Sequence, residues 1–259
     1  LPPITDPGGA MPVIFNSCIP VFADADPQSY NTSVGEIEKV LTDRTRAIVV
    51  AHIAGEPVDM DPVMELAKRK NLFVIEDCAQ AHGALYKNRL VGTIGHIAAF
   101  STMSGKHHAT GGQGGVVYTR DEELSWKGRR FADRGKPFNL ESSGNVVAGL
   151  NCNLNDLSAA IGSVQIPKLP AAIRRRRRVG EAVRQGLAAD GAVRVGWQVP
   201  ETQGVYWFLR IFVALDKLRV GKEQFCKAVE AEGVPVNPSY RHIPAEAPWH
   251  RGRVGLGNS

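Results

Sequence analysis

The chain has no long apolar run, no closely spaced cysteines and few aromatic residues. None of its apolar stretches approaches the roughly 18–20 residues of a membrane-spanning helix, so no membrane partner is expected. Its start, Leu1-Pro2-Pro3-Ile4-Thr5, lacks the basic and apolar regions of a signal peptide. It also lacks an initiator Met, so the expectation is a chain that begins inside a longer protein. The four cysteines, at 18, 78, 152 and 226, are widely separated with no CxxC pair. That spacing argues against a zinc site or a disulfide framework, and for reduced thiols in the cytoplasm. Aromatic residues make up 7% of the chain, and none interleaves its one strongly basic run, Arg174–Arg178. Without aromatics or a nucleic-acid motif, the run reads as a solvated helix face rather than a nucleic-acid surface. An anionic ligand or a subunit contact remains the alternative for it.

What is present is an ordinary globular composition over 259 residues, 43% hydrophobic and 22% charged, with a net charge of +5. Strands and helices alternate in the first half. Pro20-Val21-Phe22 reads as a strand, and Ser33–Leu41 as a helix with Val34, Ile37 and Val40 at helical spacing. Arg46–His52 has the continuous apolar character of a strand buried on both faces. Asp61–Lys70 is an amphipathic helix with Asp59 or Asp61 near its cap and basic residues at its end. Strands follow at Leu72–Glu76, Ile97–Ser101 and Gly115–Thr119, then a helix at Asp121–Ala132. This order predicts an α/β domain with a mainly parallel sheet, whose ligands gather at the carboxyl ends of the strands. From Leu154 to Ala188 the pattern is helical, interrupted by Pro167 and Pro170. A strand at Val205–Ala214, a helix at Lys222–Glu232 and a strand turning into a loop over Gly233–Pro244 suggest a second, smaller α/β unit. The tail Arg251–Ser259 offers no core.

The chemistry concentrates around Lys106. It stands in a small-residue loop after the apolar strand ending at Phe100-Ser101, and Gly111, Gly112, Gly114 and Gly115 follow. A lysine held in such a loop can form an imine with a carbonyl, the chemistry of pyridoxal phosphate. That cofactor also needs a carboxylate for its pyridine nitrogen, a group against its ring and a cradle for its phosphate. Asp77 follows the run Leu72–Ile75 and reaches the mouth of the sheet, either as that carboxylate or as a helix N-cap. Gln80 could face the ring from the same side, or lie on the surface. Ser101 could donate to the phosphate, or simply turn the chain. His107 and His108 are too few for a metal site, and His107 reads as a substrate-facing or packing residue.

These residues together resemble the DegT/DnrJ/EryC1/StrS aminotransferases. The resemblance lies in Val74–Ala84 with Gly92 and Gly95, in Phe100-Ser101 through Lys106 to Gly115, and in Gly55, Pro57, Asp59 and Met60. It continues in Gly149–Gly162 with Gln165 and Lys168-Leu169. It covers roughly residues 2–245. It implies a three-layer large domain like that of aspartate aminotransferase over 1–165, and a smaller C-terminal domain over 166–259. It implies pyridoxal 5'-phosphate as cofactor, with Lys106 as the Schiff-base lysine and Asp77 on the pyridine nitrogen. By the same resemblance Gln80 packs on the ring, Ser101 binds phosphate, and Asn151 reaches the phosphate in a neighbouring subunit. Thr5 and His242 border the sugar pocket. The implied activity is amination of a nucleotide-linked keto-sugar from an amino-acid donor such as glutamate, in a homodimer with shared active sites. Non-catalytic regulators and sugar dehydratases of the family are the alternatives, the latter carrying histidine where Lys106 stands. Family members also carry a Gly-Thr-rich phosphate segment ahead of the position of Leu1, and a small domain extending beyond Trp249. Asn153 and Ser158 depart from the arginine and glutamine usual at those places.

Overall fold

A computed structural model describes residues 1–246. The expected elements around Trp249 and in the tail Arg251–Ser259 lie outside the described residues.

The frame is a four-stranded sheet built from β1 (Ala47–Ala51), β2 (Phe73–Asp77), β5 (Ile97–Ser101) and β6 (Gly115–Tyr118), in that spatial order. Between β2 and β5 the chain makes a small hairpin, β3 (Leu85–Tyr86) with β4 (Arg89–Leu90). β1, β2 and β5 are parallel, with Ala51 opposite Asp77 and Asp77 opposite Ala99. Their carboxyl ends therefore share one edge, the edge where such sheets collect ligands. β6 returns antiparallel, with Ser101 opposite Gly115. Residues 102–114 are the connection between β5 and β6, so Lys106 hangs from the same edge as Asp77. The α/β class and the mainly parallel sheet are as expected.

Of the helices, α1 (Met11–Phe15) and α2 (Val34–Val40) precede β1, and α3 (Met60–Lys70) links β1 to β2. α2 starts at Ser33, whose hydroxyl accepts from the Glu36 N–H. α3 buries Val63, Leu66 and Ala67 against the sheet and ends at Asn71 in the left-handed region. Asp59 holds the cap position of α3 without capping it. Its carboxylate accepts from the Tyr86 hydroxyl at 2.6 Å, and the Tyr86 hydroxyl oxygen in turn accepts from the Asp61 N–H at 3.1 Å. α4 (Glu122–Ala132) is capped by Asp121, which accepts from the Leu124 N–H. Pro167 and Pro170 divide the long helical stretch into α5 (Asp156–Gln165), a short 3-10 turn, and α6 (Leu169–Gly186). None of the helices of the described residues is long and apolar enough to cross a membrane.

Three expected strands do not form as expected. Val21 and Ala23 bond only to Leu1, through its amine and its carbonyl, a single rung rather than a ladder. Within 205–214 only β9 (Ile211–Val213) is a strand, pairing with β7 (Val193–Val195). Tyr206 has φ +47°, incompatible with an extended strand. The Val205 and Trp207 N–H groups instead donate to the Gly55 and Ala54 carbonyls. Upstream, β8 (Thr202–Gln203) pairs with β3. The segment 233–242 contains no strand, and its end turns into the short helix α8 (Ile243–Glu246) after α7 (Lys222–Ala231).

The arginine run is also more than a solvated face. Arg176 donates to the Tyr206 and Trp207 carbonyls at 3.0 and 3.1 Å, and Arg177 to the Gly204 and Gly83 carbonyls at 2.9 and 3.2 Å. α6 is thereby stitched to the loop that crosses the sheet edge. Deeper still, buried Glu56 pairs with Arg184 at 2.9 Å and with Arg210.

The organising polar group of the sheet is Glu76, fully buried on β2. Its Oε1 accepts from the Ile94 and Gly95 N–H groups at 2.8 and 2.5 Å. Its Oε2 accepts from the Gly92 N–H at 2.7 Å and faces His52 Nε2 at 3.1 Å. Burial works to raise its pKa, yet the His52 contact and the backbone donors hold it below the ordinary glutamate value. Glu76→Gln keeps the shape but aims an amide N–H₂ at existing donors. It should lower the unfolding free energy by about 3 kcal/mol, read as a lower urea midpoint at unchanged m-value.

Candidate active site

The loop that carries Lys106 is held by its own backbone. The Thr102 N–H donates to the Gly114 carbonyl and the Ser104 N–H to the Gly112 carbonyl, both at 2.8 Å. The Thr110 N–H returns to the Thr102 carbonyl at 2.9 Å, and the two threonine hydroxyls meet at 2.9 Å. A Cβ at Gly114 would sit 2.6 Å from the Thr102 hydroxyl, which is why no side chain fits there. Lys106 follows Gly105, at φ +93°, and its N–H donates to the Met103 carbonyl.

The Lys106 amine lies 3.9 Å from the centre of the Trp207 ring. It is half-buried, and burial holds it below the ordinary lysine value while the Asp77 and Asp6 carboxylates pull the other way. Asp77 responds oppositely. Burial pushes its carboxyl up, against the Ala79 N–H, which donates to Oδ1 at 3.0 Å, and against the fields of His52 and Lys106. The Ala79 bond closes a turn but no helix follows it, so Asp77 is not the N-cap that the alternative reading made it, and the bond occupies one oxygen only. Oδ2 faces Gly9, where a Cβ would stand 3.5 Å away and 3.8 Å from the Thr5 methyl. Lys106, Asp77 and Thr5 thus converge at one edge.

Gln80 is buried rather than on the surface. Its Oε1 accepts from the Ala54 N–H at 2.7 Å and its Nε2 donates to the Tyr240 hydroxyl at 2.8 Å. Tyr240 packs on Phe208, which packs on Trp207, with ring centres 5.0 and 5.5 Å apart. An aromatic file therefore runs from Gln80 to the lysine. Trp207 and Tyr240 were not singled out from the sequence, because an aromatic residue beyond a strand carries no signal of what it covers. Ser101, at the end of β5, is partly buried and accepts from the Met103 N–H at 3.3 Å. His242 is exposed, and the following Ile243 N–H donates to the Pro3 carbonyl, so its segment lies against the one that holds Thr5. Asn151 is exposed, outside this cluster, and accepts from Asn153 Nδ2 at 3.0 Å. Asn153, in the place of the family's arginine, also donates to Asp133.

His107 is a packing residue by its contacts. Its Nε2 lies 3.2 Å from the Val205 carbonyl, and its buried Nδ1 has no partner among the described residues. Beside it, His82 is buried, and among the described residues neither ring nitrogen makes a hydrogen bond of good geometry, its ring centre 5.9 Å from that of His107 and 6.4 Å from that of His108. Burial pushes both His82 and His107 down to about 4. Another group has metal-like spacing: the ligand atoms of His52, Glu76 and Cys78 lie within 4.8 Å of one another. His52 Nδ1 already accepts from the Val58 N–H, so its Nε2 carries the hydrogen toward Glu76. Burial raises the Cys78 thiol well above its ordinary value. No lone pair of His52 is left for an ion, and the trio serves the fold.

The family model of the DegT/DnrJ/EryC1/StrS aminotransferase family matches residues 1–254. GDP-perosamine synthase of Escherichia coli O157:H7 is 33% identical over 211 residues, 82% of this chain and 57% of that protein. The UDP-N-acetyl-3-dehydro-alpha-D-glucosamine 3-aminotransferase of Acidithiobacillus ferrooxidans is 35% identical over 246 residues, 94% of this chain and 63% of that protein. The crystal structure of an aminotransferase from Psychrobacter cryohalolentis is 32% identical and superposes with a TM-score of 0.90, over 99% of this chain and 70% of that one. The chain thus spans 57% and 63% of the length of these two curated relatives.

The histidine cluster has a measurable consequence. His82 titrates near 4 when folded and near 6.5 when unfolded, so the unfolded chain binds the extra proton between those values. Its contribution is complete above pH 6.5 and is lost as the pH falls toward 4. Replacing His82 by Phe should flatten the fall in unfolding free energy across that window by roughly 1 kcal/mol per pH unit. Urea midpoints at half-unit pH steps measure it.

Proposed function

Because the chain belongs to the DegT/DnrJ/EryC1/StrS aminotransferase family, we propose that the protein is a pyridoxal phosphate-dependent aminotransferase. Its acceptor is a nucleotide-linked keto-sugar and its donor is glutamate. The observation that carries the reading is that Lys106 and Asp77 hang from one sheet edge, each within reach of the other's charge, a base and an acid that burial shifts in opposite directions. The residues fit the cofactor. Asp77 is a buried carboxylate that a pyridinium would neutralise, and Lys106 is an amine that burial biases toward its free form. Ser101 and the loop at 111–115 would take the phosphate.

When bound, pyridoxal phosphate supplies the electron sink that weakens bonds at the donor's α-carbon. The chain's own residues do the rest. Asp77 holds a proton at the ring nitrogen by its charge. Gln80, fixed at both ends of its amide, presents a rigid face to the ring. Lys106 Nζ takes a proton from one carbon and returns it to another, a role suited to an amine of lowered basicity. The aromatic file Trp207–Phe208–Tyr240 would line one side of the site. Thr5 and His242 border the acceptor from the side of the first residues. Among the described residues, we assign 1–165 to the large domain and those from 166 onward to the smaller one.

Asn151 serves a second copy of the chain. An exposed asparagine standing among Leu150, Leu154 and Leu157, the last 81% exposed, suits a homodimer interface. Lys106 sets the protein apart from dehydratases of the family.

Addition of pyridoxal phosphate to the whole protein should give a visible absorbance band that Lys106→Ala removes. Glutamate should convert that band to the amine form of the cofactor. A band that survives in Lys106→Ala sinks the assignment. A band that forms but does not respond to any amino acid favours the regulatory alternative. Asp77→Asn should weaken cofactor retention and cut the rate of conversion by at least about a hundredfold, measured in single turnover.

A further inference from the structure

Trp207 touches the Lys106 loop at two points. The ring lies under the amine at 3.9 Å, and the indole Nε1–H donates to the Gly105 carbonyl at 3.2 Å. Gly105 is the residue immediately before Lys106, so one side chain grips both the backbone that presents the lysine and the charge at its tip.

Trp207 is itself held unusually well for a loop residue. Its N–H donates to the Ala54 carbonyl at 2.8 Å, and its carbonyl accepts from Arg176. The preceding residue, Tyr206, is kept at φ +47° by its surroundings. The Tyr206 ring fills the notch left by Gly180 on α6, where a Cβ would come within 2.6 Å of it, and its hydroxyl bonds to Glu181. The Val205 carbonyl, one residue earlier, meets His107 at 3.2 Å. A non-glycine residue in the left-handed region is strained and persists only where its neighbours over-determine it. Here the strained turn aims the indole at the lysine loop.

We propose that Trp207 is the positioning residue of Lys106: its ring seats the ammonium whenever the side chain is not joined to a carbonyl, and its indole N–H fixes the loop that carries it. The proposal rests on the reading of Lys106 as the cofactor lysine. A lysine that leaves and rejoins a carbonyl in each cycle needs a defined place to wait. A cation over an indole face is attracted without a counter-charge that would lock it there. The carboxylates of Asp77 and Asp6 also act on the amine, and the amine's own charge is felt by His82 and His107. Unlike these charges, the indole attracts the amine as a neutral group.

The test uses the cofactor-free whole protein. The ionisation of Lys106 is read by competitive labelling of amines with acetic anhydride across pH, followed by mass spectrometry. Loss of the ring in Trp207→Leu should lower the Lys106 pKa by about 0.4–1.5 units, the range expected for a cation–π contact. Trp207→Phe, which keeps a ring, should shift it less. An unchanged or raised value in Trp207→Leu overturns the seat. Hydrogen exchange reads the second grip. Trp207→Phe lacks the indole N–H, so the amides from Lys106 to His108 should exchange about two- to tenfold faster. Unchanged exchange there overturns the loop contact, and this variant decides the matter if Trp207→Leu does not fold. Failure of the cofactor reading shows separately, as a wild-type protein that takes up no pyridoxal phosphate.

Discussion

A fully buried carboxylate, Glu76, sets the terms for everything at the active edge. Side chains on a strand alternate faces, so turning Glu76 inward turns Asp77 toward the opposite side. The inward carboxylate must be satisfied, and its partners are backbone donors of the segment leading into β5 together with His52 at the end of β1. One side chain therefore ties together the three parallel strands whose ends form the site. The glycines at 92 and 95 acquire a physical reason. Gly92 has φ +86°, and a Cβ there would strike the Phe100 ring at 2.4 Å. A Cβ at Gly95 would meet the Val74 carbonyl at 2.9 Å. Neither backbone N–H could reach Glu76 if these residues carried side chains.

The second constraint is the crossing segment 203–207. It bonds to α6 through Arg177 and Arg176, to the turn at 53–55 through two backbone N–H groups, and to the lysine loop through Val205 and Trp207. The arginine run that looked like solvated charge does its work here, since guanidinium groups can satisfy several carbonyls of an irregular segment at once. Such a segment has no ladder to satisfy it, and buried carbonyls must be paired. Irregular backbone at the site is affordable because α6 supplies those donors.

How much of this was legible follows from the range of each interaction. The strands β1, β2 and β5, the caps at Ser33 and Asp121, and the break at Pro167 and Pro170 are local consequences of local residues, and the sequence displays them. Asp77 at a strand end and Lys106 in a glycine loop are readable for the same reason. The strand expected over Val205–Ala214 has the right composition, and only contacts from Gly55, Gly180 and Arg176 bend it. The burial of Gln80 depends on Ala54 and Tyr240, residues 26 and 160 positions away. Trp207 reaches Gly105 across 102 positions. No periodicity or spacing encodes a contact of that kind.

Burial explains why the acid and the base of the site belong together. It disfavours charge on both, raising Asp77 and lowering Lys106, and each is the other's partial remedy. A closed salt bridge would end that tension and would hold the amine as an ammonium, useless as a base. The indole attracts the ammonium more weakly than a bonded carboxylate would, and the turn at Ala79 takes only one oxygen of Asp77. Oδ2 stays directed toward Gly9. The site is thus kept unsatisfied on purpose by its neighbours: an acid short of a cation and an amine held short of full charge, side by side on one rigid sheet edge. Such a pair gains most from a bound group that brings a ring cation to the first and a carbonyl to the second.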